Sequence, residues 1–294
     1  MSEHRIEELM VCRIAADVED DGVTVLGSFT PLAYAAYMLA KLTTAPEATL
    51  IGFNAIGMPP VQLNLTGTEA AAYRGAVARW TFSQSTQTVH LGRRGLVECI
   101  SPAQIDGSGA FNVSVIGEHA RPKVRLPGGA GSPEVVQHYR RILLYVGTHD
   151  TRTLVERVDF RTGQRRPLDD AAREAAGLLP GPVRVITPLA VLRKDHAERP
   201  FAIETLHRGV SADEVVERTG FALEVPADIP TTAEPTSAQL ALLRERIDPW
   251  GTIRFDFMSA RDRRAYLREL LDGEWRRARA SGSGAKIIPF NGPA

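Results

Sequence analysis

A chain of 294 residues with 44% hydrophobic side chains can bury one large core or two small ones. Its 35 Lys and Arg balance 35 Asp and Glu, which argues against a duplex nucleic acid or an anionic membrane as main partner and favours a small molecule or a protein. Cys12 and Cys99 are too few for a disulfide framework or a spaced metal set, so buried thiols, a reducing cytoplasm and no metal centre are expected.

The opening MSEHRIEELM has no apolar signal core, and PLAYAAYMLA is about half the ~20 residues that cross a bilayer, so neither secretion nor membrane insertion is expected. Ile6, Leu9, Met10, Ile14 and Val18 fall on one helical stripe within residues 4 to 20. Asp21-Gly22 turns the chain into the apolar run Val23 to Leu26. Pro31 opens a second helix, ended by Ala45-Pro46-Glu47 before the run Leu50 to Phe53. That order reads as the start of a βαβ unit.

Five further runs have the length of buried strands: LVECI from Leu96, FNVSVI from Phe111, ILLYVG from Ile142, VRVIT from Val183 and FAIETL from Phe201. Together they predict an α/β fold: an open, mixed, mainly parallel sheet with flanking helices. Ser211 and Glu214 form a capping box for a helix to about Thr219, with Gly220 as its stop. Residues 226 to 235, with three prolines, read as a linker, and Ser237 to Ile247 as a last core helix. Beyond Pro249 the composition changes, so residues 1–249 are expected as the main domain and 250–294 as a helical extension with a flexible SGSG tail. The extension's helix is capped by Ser259 and carries the stripe Tyr266, Leu267, Leu270, Leu271 and Trp275.

Four segments in order resemble the B subunit of family I CoA-transferases, especially the glutaconate branch. They are Ala103 to Gly117 (AQIDGSGAFNVSVIG), PGGAGSPEVV from Pro127, His149-Asp150-Thr151-Arg152 with Asp159 beyond, and the pair TGFALEV from Thr219 and LLRERIDP from Leu242. The likeness covers roughly residues 5 to 249. It implies the CoA-transferase fold, an A-like partner subunit, and an acyl-CoA substrate that brings CoA with it, with no separate cofactor. Counted from Ala45-Pro46, the family's nucleophilic glutamate falls on Phe53, and Gly52, Asn54 and Ala55 offer no carboxylate. A phenyl ring cannot store CoA as a thioester. Ser101-Pro102 also stands where the family has glycines whose N–H groups face the thioester oxygen, and proline has no N–H.

The chain is similar in these respects to the B-like subunit of the ring-opening hydrolase of steroid catabolism, a CoA-transferase relative whose essential glutamate belongs to its A-like subunit. The resemblance thus implies hydrolysis or carbon–carbon cleavage rather than CoA transfer. An orthodox transferase with its nucleophile on another subunit and a non-catalytic scaffold are the alternatives. His149, after the strand ILLYVG, is the candidate to orient water or substrate, and Glu118 is the carboxylate nearest the family's loop. Substrate contacts are expected from Phe53, Asn54, Ala103, Gln104, Gly128, Gly129, Gly131 and Arg152, with Arg121 and Lys123 near enough to meet CoA phosphates. Each has a structural reading as well: a turn for the glycines, Gln104 and Asp106, an ion pair with Asp159 or Glu156 for Arg152, and a solvent-facing strand edge for Glu98.

Overall fold

The computed structural model describes residues 3–27, 30–52, 54–81, 83–84 and 96–281. They form two compact units, one within Met1–Leu96 and Ala233–Ala294 and the other Val97–Thr232. In the first, α1 (Ile6–Ala15) opens where Glu8 accepts the backbone N–H of Arg5 at 2.8 Å and donates its own N–H to the Arg5 carbonyl at 3.1 Å. The strand β1 (Val23–Val25) lies parallel to β2 (Thr49–Gly52), with α2 (Pro31–Leu42) crossing between them. This is the expected βαβ unit. Two short strands extend it antiparallel, β3 (Ala55–Ile56) and, after α3 (Thr68–Arg74), β4 (Ala78–Arg79). Every residue of α2 from Pro31 to Ala40 is buried, as an all-apolar helix requires. Leu32, Met38 and Leu39 alone remove side chains from water at roughly 2 kcal/mol each.

The second unit holds β5 (Leu96–Ile100), β6 (Gln104–Asp106), β7 (Phe111–Asn112), β8 (Val115–Ile116), β9 (Val124–Arg125), α4 (Ser132–His138), β10 (Arg141–Tyr145), β11 (Leu154–Val155), α5 (Asp170–Ala175), β12 (Val183–Ile186), β13 (Ala190–Lys194), β14 (Phe201–Leu206), α6 (Ala212–Glu217) and β15 (Leu223–Glu224). Here β5, β10 and β12 run parallel, β13 and β14 add antiparallel, and β15 returns parallel. The parallel centre with antiparallel additions is the predicted mixed sheet. FNVSVI is not one strand. Asn112 turns its side-chain oxygen to the N–H groups of Ser114 and Val115, and this local turn splits the run into β7 and β8. Residues 226–235, read as a linker, carry the chain from the second unit to the first, and Thr232 within them donates its N–H to the Leu206 carbonyl at 2.8 Å and meets the Thr205 hydroxyl at 2.6 Å.

Back in the first unit, Thr236 and Gln239 make a full capping box for α7 (Ser237–Ala241), which runs on as a π-helical turn, Leu242–Ile247. A 3-10 segment, Thr252–Phe257, leads to α8 (Ala260–Ser281), whose Ser259 cap accepts from the N–H of Asp262. The extension after residue 249 packs as part of this unit. Arg277 lies over the Trp250 ring at 3.4 Å and Tyr266 donates to the Gly251 carbonyl at 2.8 Å. Glu274, 8% exposed, accepts from the N–H of Leu65, and from the N–H and hydroxyl of Thr66 at 3.1 and 2.8 Å. The tail beyond Ser281 lies outside the described residues. Removing an acceptor from buried donors costs about 2 kcal/mol, so Glu274→Ala should lower the melting temperature by roughly 5 °C. An unchanged melting temperature would contradict this latch.

Candidate functional site

In the second unit the family-like run is a hydrogen-bonded scaffold. Gln104, 7% exposed, accepts from Asn112 at 2.8 Å and from the N–H of Asp159 at 3.0 Å. Asp106 accepts from the N–H and hydroxyl of Ser108 and from the N–H of Val158. Ala103 donates its N–H to the Asn112 carbonyl. These residues close turns, the structural reading of Gln104 and Asp106. Gly128 and Gly131 sit at φ 99° and 96°, a region side chains avoid, and nothing stands within 4 Å of where a Cβ would project. They face open space at the start of α4. Gly129 packs against Thr162 instead.

His149 is 4% exposed, and both ring nitrogens are engaged: Nδ1 with the Thr187 hydroxyl at 2.8 Å and Nε2 with the Thr219 hydroxyl at 3.0 Å. Burial pulls its pKa down to about 4, against a weaker upward pull from the Val215 carbonyl. Each hydroxyl also reaches a backbone carbonyl as donor, Thr187 that of Ala190 at 3.0 Å and Thr219 that of Val215 at 2.7 Å. The geometry is that of a fixed neutral ring with no nitrogen left for a water. Thr187, Thr219 and the neighbouring buried His207, which bonds the Thr187 carbonyl at 2.8 Å, carry no sequence motif that would mark them as its neighbours. The two threonines come from segments 38 and 70 residues away from His149.

Arg152 pairs with Asp150 at 2.9 Å, not with Asp159 or Glu156, because the turn brings the adjacent carboxylate onto the guanidinium. Its side chain is 89% exposed. Asp159 instead accepts the N–H of Gly117 at 2.8 Å. Glu118, Arg121 and Lys123 are exposed on the loop joining β8 and β9. Glu98 does not face solvent in full. Part of the residue remains accessible, but Oε2 is sealed without a hydrogen-bond partner, and burial pushes the carboxyl up to about 8. Arg165 and Arg173, each 0% exposed, donate to backbone carbonyls, among them Val136 and Tyr139 for Arg165 and Pro167 and Leu179 for Arg173, while Arg165 Nε is buried without a partner. They anchor the C-terminal end of α4 and hence the glycine loop before it.

In the first unit, Phe53 lies outside the described residues. Its flanks are fixed by Trp80, whose ring N–H donates to the Gly52 carbonyl at 3.2 Å and whose backbone N–H donates to Asn54 at 3.2 Å. Asn54 is exposed. The Tyr73 ring stands 3.2 Å from where a Cβ on Gly52 would be. Among the described residues no group of three His, Cys, Asp or Glu is placed to hold a metal ion, and no helix is long and apolar enough to cross a membrane.

The sign of the His149 shift is testable. Its folded pKa lies below the ordinary 6.5, so its contribution to stability is complete above that value and is lost as pH falls toward 4. The His149 ring protons should therefore titrate near pH 4 by NMR, and a midpoint near 6.5 would contradict the buried neutral ring.

The family model described as coenzyme A transferase matches residues 8–218. The second subunit, B, of the 3-oxoadipate CoA-transferase from Pseudomonas knackmussii is 30% identical over 246 residues, 83% of this chain and 94% of that one. The cholesterol ring-cleaving hydrolase IpdB subunit from Rhodococcus jostii is 30% identical over 217 residues, 72% of this chain and 79% of that protein. Among solved structures, the decarboxylase AibA/AibB superposes with a TM-score of 0.75 at 26% identity, covering 86% of this chain and 99% of that chain. By these matches and by its fold, the chain belongs to the coenzyme A transferase family, as a relative of its B subunits.

Proposed function

We propose that this chain is the B-like subunit of a heteromeric acyl-CoA enzyme that carries out hydrolysis or carbon–carbon bond cleavage rather than CoA transfer. The feature that supports this reading is the stretch Gly52, Phe53, Asn54 and Ala55, where the resemblance, counted from Ala45-Pro46, puts the family's nucleophilic glutamate on Phe53. Orthodox transfer stores CoA on a carboxylate, and no carboxylate is present in that stretch. The likeness to a hydrolase subunit and to a decarboxylase supports a change of chemistry on the same fold.

In this reading an A-like partner supplies the reacting carboxylate. This chain supplies binding surface, with Gly128, Gly131 and the exposed Arg152 as contacts for the CoA portion and the exposed Glu118 as a secondary carboxylate near them. His149 acts as a positioning residue, holding the ends of β10, β12 and α6 through Thr187 and Thr219. The likeness to a 3-oxoadipate CoA-transferase subunit favours a second reading, transfer with the nucleophile on another subunit.

One trapping experiment addresses both. The co-expressed complex is incubated with acyl-CoA, reduced with borohydride, and each subunit is mapped by mass spectrometry. We expect no reduced glutamate on this chain. A reduced glutamate here would refute the reading, whereas one on the partner, with CoA passing to an added acid, would establish the second.

A further inference from the structure

The first unit contains a cavity of about 90 Å³ that the residues above leave unexplained. Thr30 and Tyr34, from the first turn of α2, form one wall, and Leu63, Asn64 and Leu65 form another. Glu69 of α3 stands at its exposed mouth. The position is informative. The first turn of α2 follows the carboxyl end of β1, the edge where open α/β sheets receive ligands. One turn after Glu69, Tyr73 stands against Gly52, the residue before Phe53. The cavity and the end of β2 thus belong to one unit and share α3, through Glu69 at the first and Tyr73 at the second.

Its chemistry is mixed and one-sided. Leu63 is buried and Leu65 half-buried, giving an apolar body. The Thr30 hydroxyl is sealed from solvent without a hydrogen-bond partner, although Thr30 occupies the N-cap position of α2, where such a hydroxyl ordinarily caps the helix. Tyr34, 6% exposed, has its hydroxyl 3.3 Å from the Gly27 carbonyl and 3.5 Å from a Glu69 oxygen. Burial and the Glu69 charge both keep the phenolic proton in place. No Lys or Arg lines the cavity. A carboxylate entering it would meet Glu69 and no cation.

We propose that this cavity is the acyl pocket of the chain, and that it takes a short acyl group ending in an uncharged hydrogen-bonding group, a hydroxyl or a carbonyl, while disfavouring a second carboxylate. The proposal rests on the acyl-CoA reading and adds the substrate class. A cavity of about 150 Å³ holds benzene, so this smaller one holds roughly four heavy atoms. The Thr30 hydroxyl is the unspent partner for the ligand's polar end. Glu274 fixes the far wall through Leu65 and Thr66, which makes α8 part of the pocket's support.

Calorimetric titration of the co-expressed complex with free CoA, butyryl-CoA, 3-hydroxybutyryl-CoA and glutaryl-CoA tests this. The hydroxybutyryl thioester should bind about tenfold more tightly than free CoA and more tightly than butyryl-CoA, and glutaryl-CoA no more tightly than free CoA. Thr30→Val, which keeps the side-chain volume, should abolish the difference between the hydroxybutyryl and butyryl thioesters. Glu69→Gln should improve glutaryl-CoA binding by roughly fivefold, the range of an exposed charge contact. Glutaryl-CoA binding as tightly as hydroxybutyryl-CoA, or a hydroxyl preference untouched by Thr30→Val, would overturn the pocket assignment. Free CoA binding with no discrimination among the thioesters would overturn the pocket alone. Failure of free CoA and every thioester to bind would remove the acyl-CoA reading itself.

Discussion

Helix α2 has no polar face, and much of the first unit follows from that. Every side chain from Pro31 to Ala40 must be covered, and α1, the π-helical turn at Leu242–Ile247 and the 3-10 segment at Thr252–Phe257 all pack on it. A helix formed near the start of the chain therefore recruits segments more than 200 residues later. The same requirement explains why a carboxylate is buried in α1. Glu8 is 0% exposed, and the cost of burial is outweighed by Arg244 at 2.7 Å, by the Arg5 N–H and by the Arg5 guanidinium at 3.0 Å, so its carboxyl lies below the ordinary range. One ion-pair cluster thereby ties the first helix to the π-helical turn.

The second unit handles buried polarity by different means. Arg165 and Arg173 face backbone carbonyls rather than acids, and burial together with their mutual repulsion lowers the Arg165 pKa to about 9. His149 is neutral and held between two threonines. Asn112 satisfies both ends of its amide, through Gln104 and Val115 on one side and the N–H groups of Ser114 and Val115 on the other. Among the described residues of this unit, Glu98 Oε2, Gln164 Oε1 and Arg165 Nε are buried without a partner.

Much of the fold was legible because it is written in local patterns. The βαβ start, the existence of strands β5, β10 and β12, and the caps at Ser211 and Ser259 follow from apolar runs and short-range hydrogen bonds, whereas the close spacing after residue 90 suggests antiparallel additions and β5, β10 and β12 run parallel. The site was less legible. Arg152 chose Asp150 because turn geometry, which no spacing rule encodes, set the adjacent carboxylate against it. His149 followed its strand as expected, but its two partners come from distant segments, so its burial and occupied nitrogens were invisible in sequence. The cavity beside Thr30 gathers residues from three separate stretches between 30 and 252, and only the folded chain brings them together. The extension after Pro249 read as a separate helical element because its composition changes there, and the polar contacts of Glu274 and Arg277 that bind it to the body are long-range and invisible in sequence.

Transfer and hydrolysis on this fold differ in where the acyl oxygen comes from. A transferase moves CoA between two acids through an enzyme-bound thioester, and hydrolysis or hydrolytic ring cleavage draws one oxygen from water. In the proposed reading a phenyl ring, Phe53, stands where a transferase stores CoA on a carboxylate. The most direct test runs the intact complex on its acyl-CoA substrate in heavy-oxygen water and weighs the released acid. The account predicts incorporation of one solvent oxygen in the absence of any acceptor acid, or, where the reaction is a decarboxylation, release of carbon dioxide with the thioester intact. Product formed only when a second carboxylic acid is added, with CoA appearing on that acid and no solvent oxygen in the product, would contradict it.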